Sequence, residues 1–350
     1  MVRADKAMCW RDYSLVGPES SRAQERGLTT ADWYVCPLPR QELKALMRRK
    51  DGPAIRDTLL WLGIMLLCAV GGIYFWGHWE AVPFFMIYGI FYGSASDSRW
   101  HECGHGTAFK TRWLNNTVYH LASFMILREP TVWRWSHARH HTDTIIVGRD
   151  PEIAVMRPPD LLGIFLNLFA LKSSLAALSK LILHARGRLT AEEKTFIPER
   201  EPAKVYLIAR IYLAILLAVA VLSIGLQSWI PAMLVGLPTL YGGCLTVIHG
   251  LTQHAGLSEN VLDHRLNCRT VYMNPISRFI YWNMNYHLEH HMFPMVPYHA
   301  LPALHEAIKA ECPAPYPGIG AAYREIIPAL LKQRKNPDYF VHREVPVRGI

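Results

Sequence analysis

Nineteen consecutive residues, Thr58 to Trp76, carry no charge. At about 1.5 Å per helical residue, such a run nearly spans a hydrocarbon core about 30 Å thick. It reads as a transmembrane helix, so the rest of the chain must be organised around a bilayer. The connection Gly77 to Ala81 lacks Lys and Arg, and Val82 and Pro83 open a second apolar run to Ser96. Pro83 suits a first helical turn. Continued through Asp97, that helix brings His101 about 28 Å from Val82, back to the side where the chain began. Val205 to Gln227 and Trp229 to Ile248 form a second hairpin that turns at Ser228, with Pro231 opening its second arm. Leu161 to Leu183 is also apolar, but Lys172, Ser173, Ser174 and Lys180 interrupt it, and it is expected to lie at the interface or half-buried. Leu38 to Arg49 is expected to form a short surface helix, with Leu43, Leu46 and Met47 above Lys44, Arg48 and Arg49.

A hydrophobic content of 51% with eleven Trp and sixteen Tyr agrees with a membrane chain. The net charge of +9 does not indicate nucleic acid, because Lys and Arg are scattered around apolar segments rather than gathered in one stripe. They bracket the outer ends of both hairpins: Lys44 to Lys50, Lys110 and Arg112, Arg186 to Arg200, then Arg265, Arg269 and Arg278. By the positive-inside rule both termini belong in the cytosol. Seven cysteines without a CxxC pair argue against a disulfide framework and a cysteine-based zinc site. No apolar stretch follows Met1, so no cleavable signal is expected. The expected fold is an all-α integral membrane protein, with four transmembrane helices in two hairpins and a cytosolic helical cap. Residues 1–56 form a cytosolic N-terminal segment, 57–310 the membrane domain and 311–350 a cytosolic C-terminal tail.

Eight of the seventeen histidines fall in three boxes: His101 and His105; His137, His140 and His141; His287, His290 and His291. Spacings of i, i+3 and i+4 put these imidazoles on one helical face, where they can close on metal. Eight neutral imidazoles exceed the three or four that one zinc takes, which implies two metals. Imidazole suits iron, zinc, copper and nickel alike, so spacing does not choose the element.

The order HxxxH, HxxHH, HxxHH, with hairpins between and the ending Tyr286-His287-Leu288-Glu289-His290-His291-Met292-Phe293-Pro294, resembles the membrane fatty acid desaturase superfamily over residues 58 to 310. That superfamily also contains hydroxylases, ketolases and oxygenases. The resemblance implies a non-haem centre of two irons that uses O2 and external electrons to remove hydrogen from an unactivated C–H bond. It also implies a ninth ligand upstream of the third box, best matched by His254 in Thr252-Gln253-His254-Ala255-Gly256, with His249, one turn earlier, as the alternative. Asp97 and Glu289 are candidates to orient an imidazole through its other nitrogen. A fatty acyl or lipid substrate is expected, to be desaturated or hydroxylated. The alternative is a ferredoxin-coupled hydroxylase or demethylating oxygenase acting on a small non-lipid substrate. Trp133, Trp135, Phe279, Tyr281 and Trp282 suit either a substrate tunnel or an interfacial belt. With no HPGG haem segment, flavin fingerprint or Rieske pair, electrons are expected from a separate donor of ferredoxin or cytochrome type, with its reductase.

His101-Glu102-Cys103-Gly104-His105 also matches HExxH, the zinc site of metalloproteases. An intramembrane protease needs a third ligand, and Asp338 in Asn336-Pro337-Asp338 lies in a charged tail rather than an apolar helix. That reading leaves six box histidines without a role. A metal carrier would instead want polar ligands within its spans. His299 and His305 are expected at the surface.

Overall fold

The computed structural model describes residues 11–30 and 32–346. The outermost parts of the expected N-terminal segment and C-terminal tail, 1–10 and 347–350, lie outside the described residues. Helices are the regular structure of the described chain, which has no strands; only two isolated β-bridges occur, Thr270 with Tyr286 and Val271 with Tyr316.

Helices α1 (Pro18–Glu25) and α2 (Arg40–Leu46) lead into α3 (Asp51–Tyr74), which exposes Leu59, Leu60, Leu66, Leu67 and Val70 along its length. It turns back into α4 (Ala81–Gly104), an unbroken helix of 24 residues and about 36 Å. The C-terminal half of α4 is enclosed on all sides by α3, by α5 (Arg112–Met125) and by the region around 238–254. Arg99 in that half is fully buried. It donates to the carbonyls of Ala95 and Ile280 and lies 4.9–5.2 Å from the ring centres of Trp61, Phe279 and Trp282. Of the five expected tunnel or belt aromatics, Phe279, Tyr281 and Trp282 therefore belong to this core rather than to a belt.

After α6 (Pro130–Thr142), the expected helix over 161–183 is two: α7 (Leu161–Asn167) and α8 (Leu171–Ala185), bent by 83°. The break is at Ala170, in the left-handed region with φ 48°, where Asn167 Oδ1 caps the amide of Ser173. Helix α9 (Pro202–Gly225) presents Leu207, Ile211, Leu217, Val221 and Ile224 outward, an apolar face of the kind that meets lipid or partner. The expected arm Trp229 to Ile248 is not one helix. It divides into α10 (Ile230–Leu234), α11 (Pro238–Gly242) and α12 (Cys244–His254). Gly236 takes φ 97° and Pro238 cannot continue a helical ladder. Gly242 and Gly243 let α11 meet the backbone of α4 at Gly89 and Gly93. Among the described residues, two helical stretches, Arg40–Tyr74 and Pro202–Gly225, are thus long and apolar enough to cross a membrane, and the bent pair α7–α8 makes a third if it acts as one span.

The short helices α13 (His264–Asn267), α14 (Pro275–Ile280), α15 (His287–Met292) and α16 (Leu301–Ile308) follow, and α17 (Ile319–Lys335) packs its Ala322, Ile326 and Leu330 beside α12. Residues 311–346 therefore fold back on the body: Arg343 donates to the carbonyl of Cys268.

Candidate metal centre

Four elements meet at the cytoplasm-directed end of α4 expected from the sequence. Helix α4 carries His101 and ends at His105. Helix α6, whose first turn is capped by Glu129 accepting from the Val132 amide, carries His137, His140 and His141. Helix α12 ends on His254, and α15 carries His287, His290 and His291. The nitrogens gather in two groups: His101, His105, His137, His141 and His290 in one, and His140, His254, His287 and His291 in the other. In the first, Nε2–Nε2 separations are 2.8 Å (His101–His290), 3.0 Å (His105–His137) and 3.2 Å (His141–His290). In the second, His254–His287 is 2.9 Å and His287–His291 is 3.0 Å.

The protonation pattern tests whether these groups suit a cation. His137 Nδ1 faces Glu152 Oε2 and His140 Nδ1 faces Asp150 Oδ2, each at 2.8 Å, and His254 Nδ1 faces the Asn267 carbonyl at 2.7 Å. Carboxylates and carbonyls only accept, so the proton sits on Nδ1 and Nε2 points inward as a bare lone pair. Lone pairs crowded at these distances need a cation between them. Protons are poor substitutes: burial, then the neighbouring imidazoles, hold His141, His287 and His291 well below the usual range. His140 is the exception, since burial lowers it but the adjoining Asp150 outweighs that and raises it. The donor set is one that could hold metal.

His249 stands outside both groups, its ring tilted by 38° against Tyr281 with ring centres 4.7 Å apart. Asp97 faces no box imidazole; it pairs with Arg128 of the α5–α6 turn at 2.7 Å. Glu289 bonds Thr270 Oγ1 and His305 Nδ1, because a residue one before His290 and two after His287 lies off the imidazole face of α15. His305 is buried, against expectation, and its Nε2 meets Tyr272. The carboxylates behind the imidazoles are Asp150 and Glu152, which sequence reasoning missed. Their one signal was two acids spaced two apart just beyond the second box. Glu102 is occupied by Thr107 Oγ1 at 2.7 Å and the Tyr298 amide at 3.1 Å, and Asp338 pairs with Arg11, so neither fills the protease role.

A cavity of about 540 Å³ opens on both groups, with His101, His137, His140, His254 and His287 in its wall. Trp100, Trp133, Ile126, Val132 and Val247 supply apolar surface, and Asp97, Arg128 and Glu129 also face it. Arg128 lies against both Trp100 and Trp133, 4.2 and 4.5 Å from their ring centres.

A helical chain with apolar outward faces and clustered histidines able to hold metal defines the class. The family follows from comparison: residues 77–323 match the fatty acid desaturase family, and the chain belongs to it. It is 31% identical over 104 residues to an sn-1 oleoyl-lipid 12-desaturase of Synechocystis sp., covering 29% of this chain and 28% of that protein. It is 42% identical over 50 residues to an sn-1 acyl-lipid omega-3 desaturase (ferredoxin) of the same organism, covering 14% of each. To a Delta(12) fatty acid desaturase of Caenorhabditis elegans it is 41% identical over 58 residues, covering 17% of this chain and 15% of that protein. The matched stretches span less than a third of each relative. The chain thus belongs to a membrane-bound family.

Proposed function

We propose that the chain is a di-iron, O2-dependent oxidoreductase that desaturates or hydroxylates an unactivated C–H bond, with a fatty acyl or lipid substrate. The observation that carries this reading is the convergence of nine imidazoles into adjoining groups of five and four, with His101 and His137 of one and His140, His254 and His287 of the other on the wall of one cavity. His101, His105, His137, His141 and His290 would hold one iron, and His140, His254, His287 and His291 the other. When bound, the irons supply the O2 activation that no side chain can perform. The protein's own part is to position. Trp100 and Trp133 form a stiff apolar wall beside His101 and His137, and the surrounding helices keep bulk water from the reacting carbon.

The same reading has four spans in two hairpins, the second hairpin returning through the broken series α10 to α12, with the histidines and both termini in the cytosol. Trp79 and Trp229, 78% and 69% exposed at the two hairpin turns, suit a non-cytosolic interfacial belt. Electrons come from an external donor of ferredoxin or cytochrome type with its reductase; the word ferredoxin in the Synechocystis relative's name supports the first. The ion pair Asp97–Arg128 in the cavity wall favours a second reading, a ferredoxin-coupled hydroxylase or demethylating oxygenase of a smaller substrate bearing a polar group. Mass spectrometry of products from cells expressing the protein with a donor system tests both. Loss of two hydrogens from an acyl chain supports desaturation, and gain of one oxygen supports hydroxylation. Loss of a methyl group from a small molecule supports the second reading. No product from the protein, when variants lacking box histidines also give none, refutes both.

A further inference from the structure

We propose that Asp150 and Glu152 are positioning residues that set the metal affinities of the two nitrogen groups separately, one carboxylate serving each group. The inference rests on the di-iron reading above. Glu152 Oε2 receives Nδ1 of His137, a member of the five-nitrogen group, and Asp150 Oδ2 receives Nδ1 of His140, a member of the four-nitrogen group, both at 2.8 Å. Two carboxylates two residues apart on one turn thus reach opposite halves of the centre.

Neither carboxylate is free to wander. Asp150 Oδ2 also accepts from the Ile145 amide at 2.7 Å, and its Oδ1 accepts from the Glu152 amide at 2.8 Å. The other oxygen of Glu152 accepts from Ser136 Oγ at 2.7 Å. Asp150 is 3% exposed, so its charge acts through little water. An anion fixed behind an imidazole holds the proton on Nδ1, fixes the ring and makes Nε2 a stronger donor; its loss typically costs about 10–100-fold in metal affinity. The other contacts behind the imidazoles are neutral: the Asn267 carbonyl for His254 and Thr144 Oγ1 for His291. Each group therefore has one charged support, and the two supports are separable by substitution.

The test is anaerobic equilibrium binding of ferrous ion to the full-length protein in detergent, against a chelator of known affinity. Wild type is expected to take two irons. Asp150→Asn is expected to weaken one of the two constants by about 10–100-fold and Glu152→Gln the other. Backgrounds assign them. With His254→Ala disabling the four-nitrogen group, Glu152→Gln still weakens the remaining iron and Asp150→Asn does not; with His105→Ala the pattern reverses. If Asp150→Asn fails to fold because one of the Ile145 and Glu152 amides then faces an NH2 group instead of an acceptor, Glu152→Gln and the milder Ser136→Ala carry the test on the five-nitrogen group. Wild-type affinities in the folded variants, or both substitutions weakening the same iron, overturn the proposal. A wild type that never takes two irons overturns the di-iron reading itself, a different result from one that takes two and ignores both substitutions.

Discussion

Replacing Gly242 by alanine is expected to wedge α11 away from α4. A Cβ at Gly242 would lie 1.8 Å from the carbonyl carbon of Gly89, 2.0 Å from its oxygen and 2.4 Å from the Ile90 nitrogen, where real Cβ contacts essentially never fall under 3.0 Å. All three atoms are backbone, so no side chain can swing aside. The two segments must part, and the bond from Ser94 Oγ to the Gly242 carbonyl, 2.6 Å, parts with them. Overpacking typically costs about 1–3 kcal/mol, and a clash against backbone alone belongs at the upper end. At roughly 2–4 °C per kcal/mol for a chain of a few hundred residues, about 3 kcal/mol lowers the unfolding midpoint by roughly 6–12 °C. Thermal unfolding of metal-free protein in detergent, followed by tryptophan fluorescence, measures it. Gly63→Ala on α3 is the control, since nothing lies within 4 Å of its built Cβ. It is expected to leave the midpoint unchanged or slightly raised. A Gly242→Ala protein unfolding at the wild-type temperature refutes the close approach of these segments.

His140→Ala and His290→Ala, one from each nitrogen group, are expected to lose iron and activity while still fractionating with membranes, because apolar helices and not the boxes drive insertion; turnover in either variant contradicts its assignment. Glu193 is 2% exposed; burial would raise its carboxyl, but the bond to His184 and the nearby Lys180 take it to about 2. A carboxyl depressed in the folded state contributes stability above its unfolded value of about 4.3, here on the order of 3 kcal/mol, and loses it as pH falls toward the folded value. Glu193→Gln should therefore unfold below wild type near neutral pH, with the gap closing between about pH 4.3 and 2; a gap independent of pH refutes the ion-pair account. Ser228→Cys, in a background without native cysteines, should react with impermeant thiol reagents only from the non-cytosolic side, and labelling from the cytosol contradicts the two-hairpin arrangement.

The imidazole clusters were legible because helical spacing alone puts His137, His140 and His141 on neighbouring faces, and α6 keeps that geometry. The return of His101 by one continuous helix was legible for the same reason: no proline or glycine pair interrupts α4 between Ala95 and Cys103. What failed depended on contacts distant in sequence. The arm after Trp229 is apolar enough to read as one span, yet its glycines serve the close approach to α4, which no hydropathy pattern records. Asp97 and Glu289 were chosen for nearness to a box along the chain, but Arg128 and His305 claim them from other elements. Asp150 reaches His140 because residues 143–150 form a tight turn, in which the Ile146 carbonyl accepts from the Asp150 amide at 2.9 Å. His305 looked like a surface residue because its partner Glu289 is buried on a different helix.

The central claim is that nine histidines form one centre for two irons. Elemental analysis of freshly purified protein, reconstituted anaerobically with ferrous ion and freed of excess, tests it directly. Two irons per chain are expected, falling in variants of either group. One zinc per chain with no uptake of iron contradicts the account.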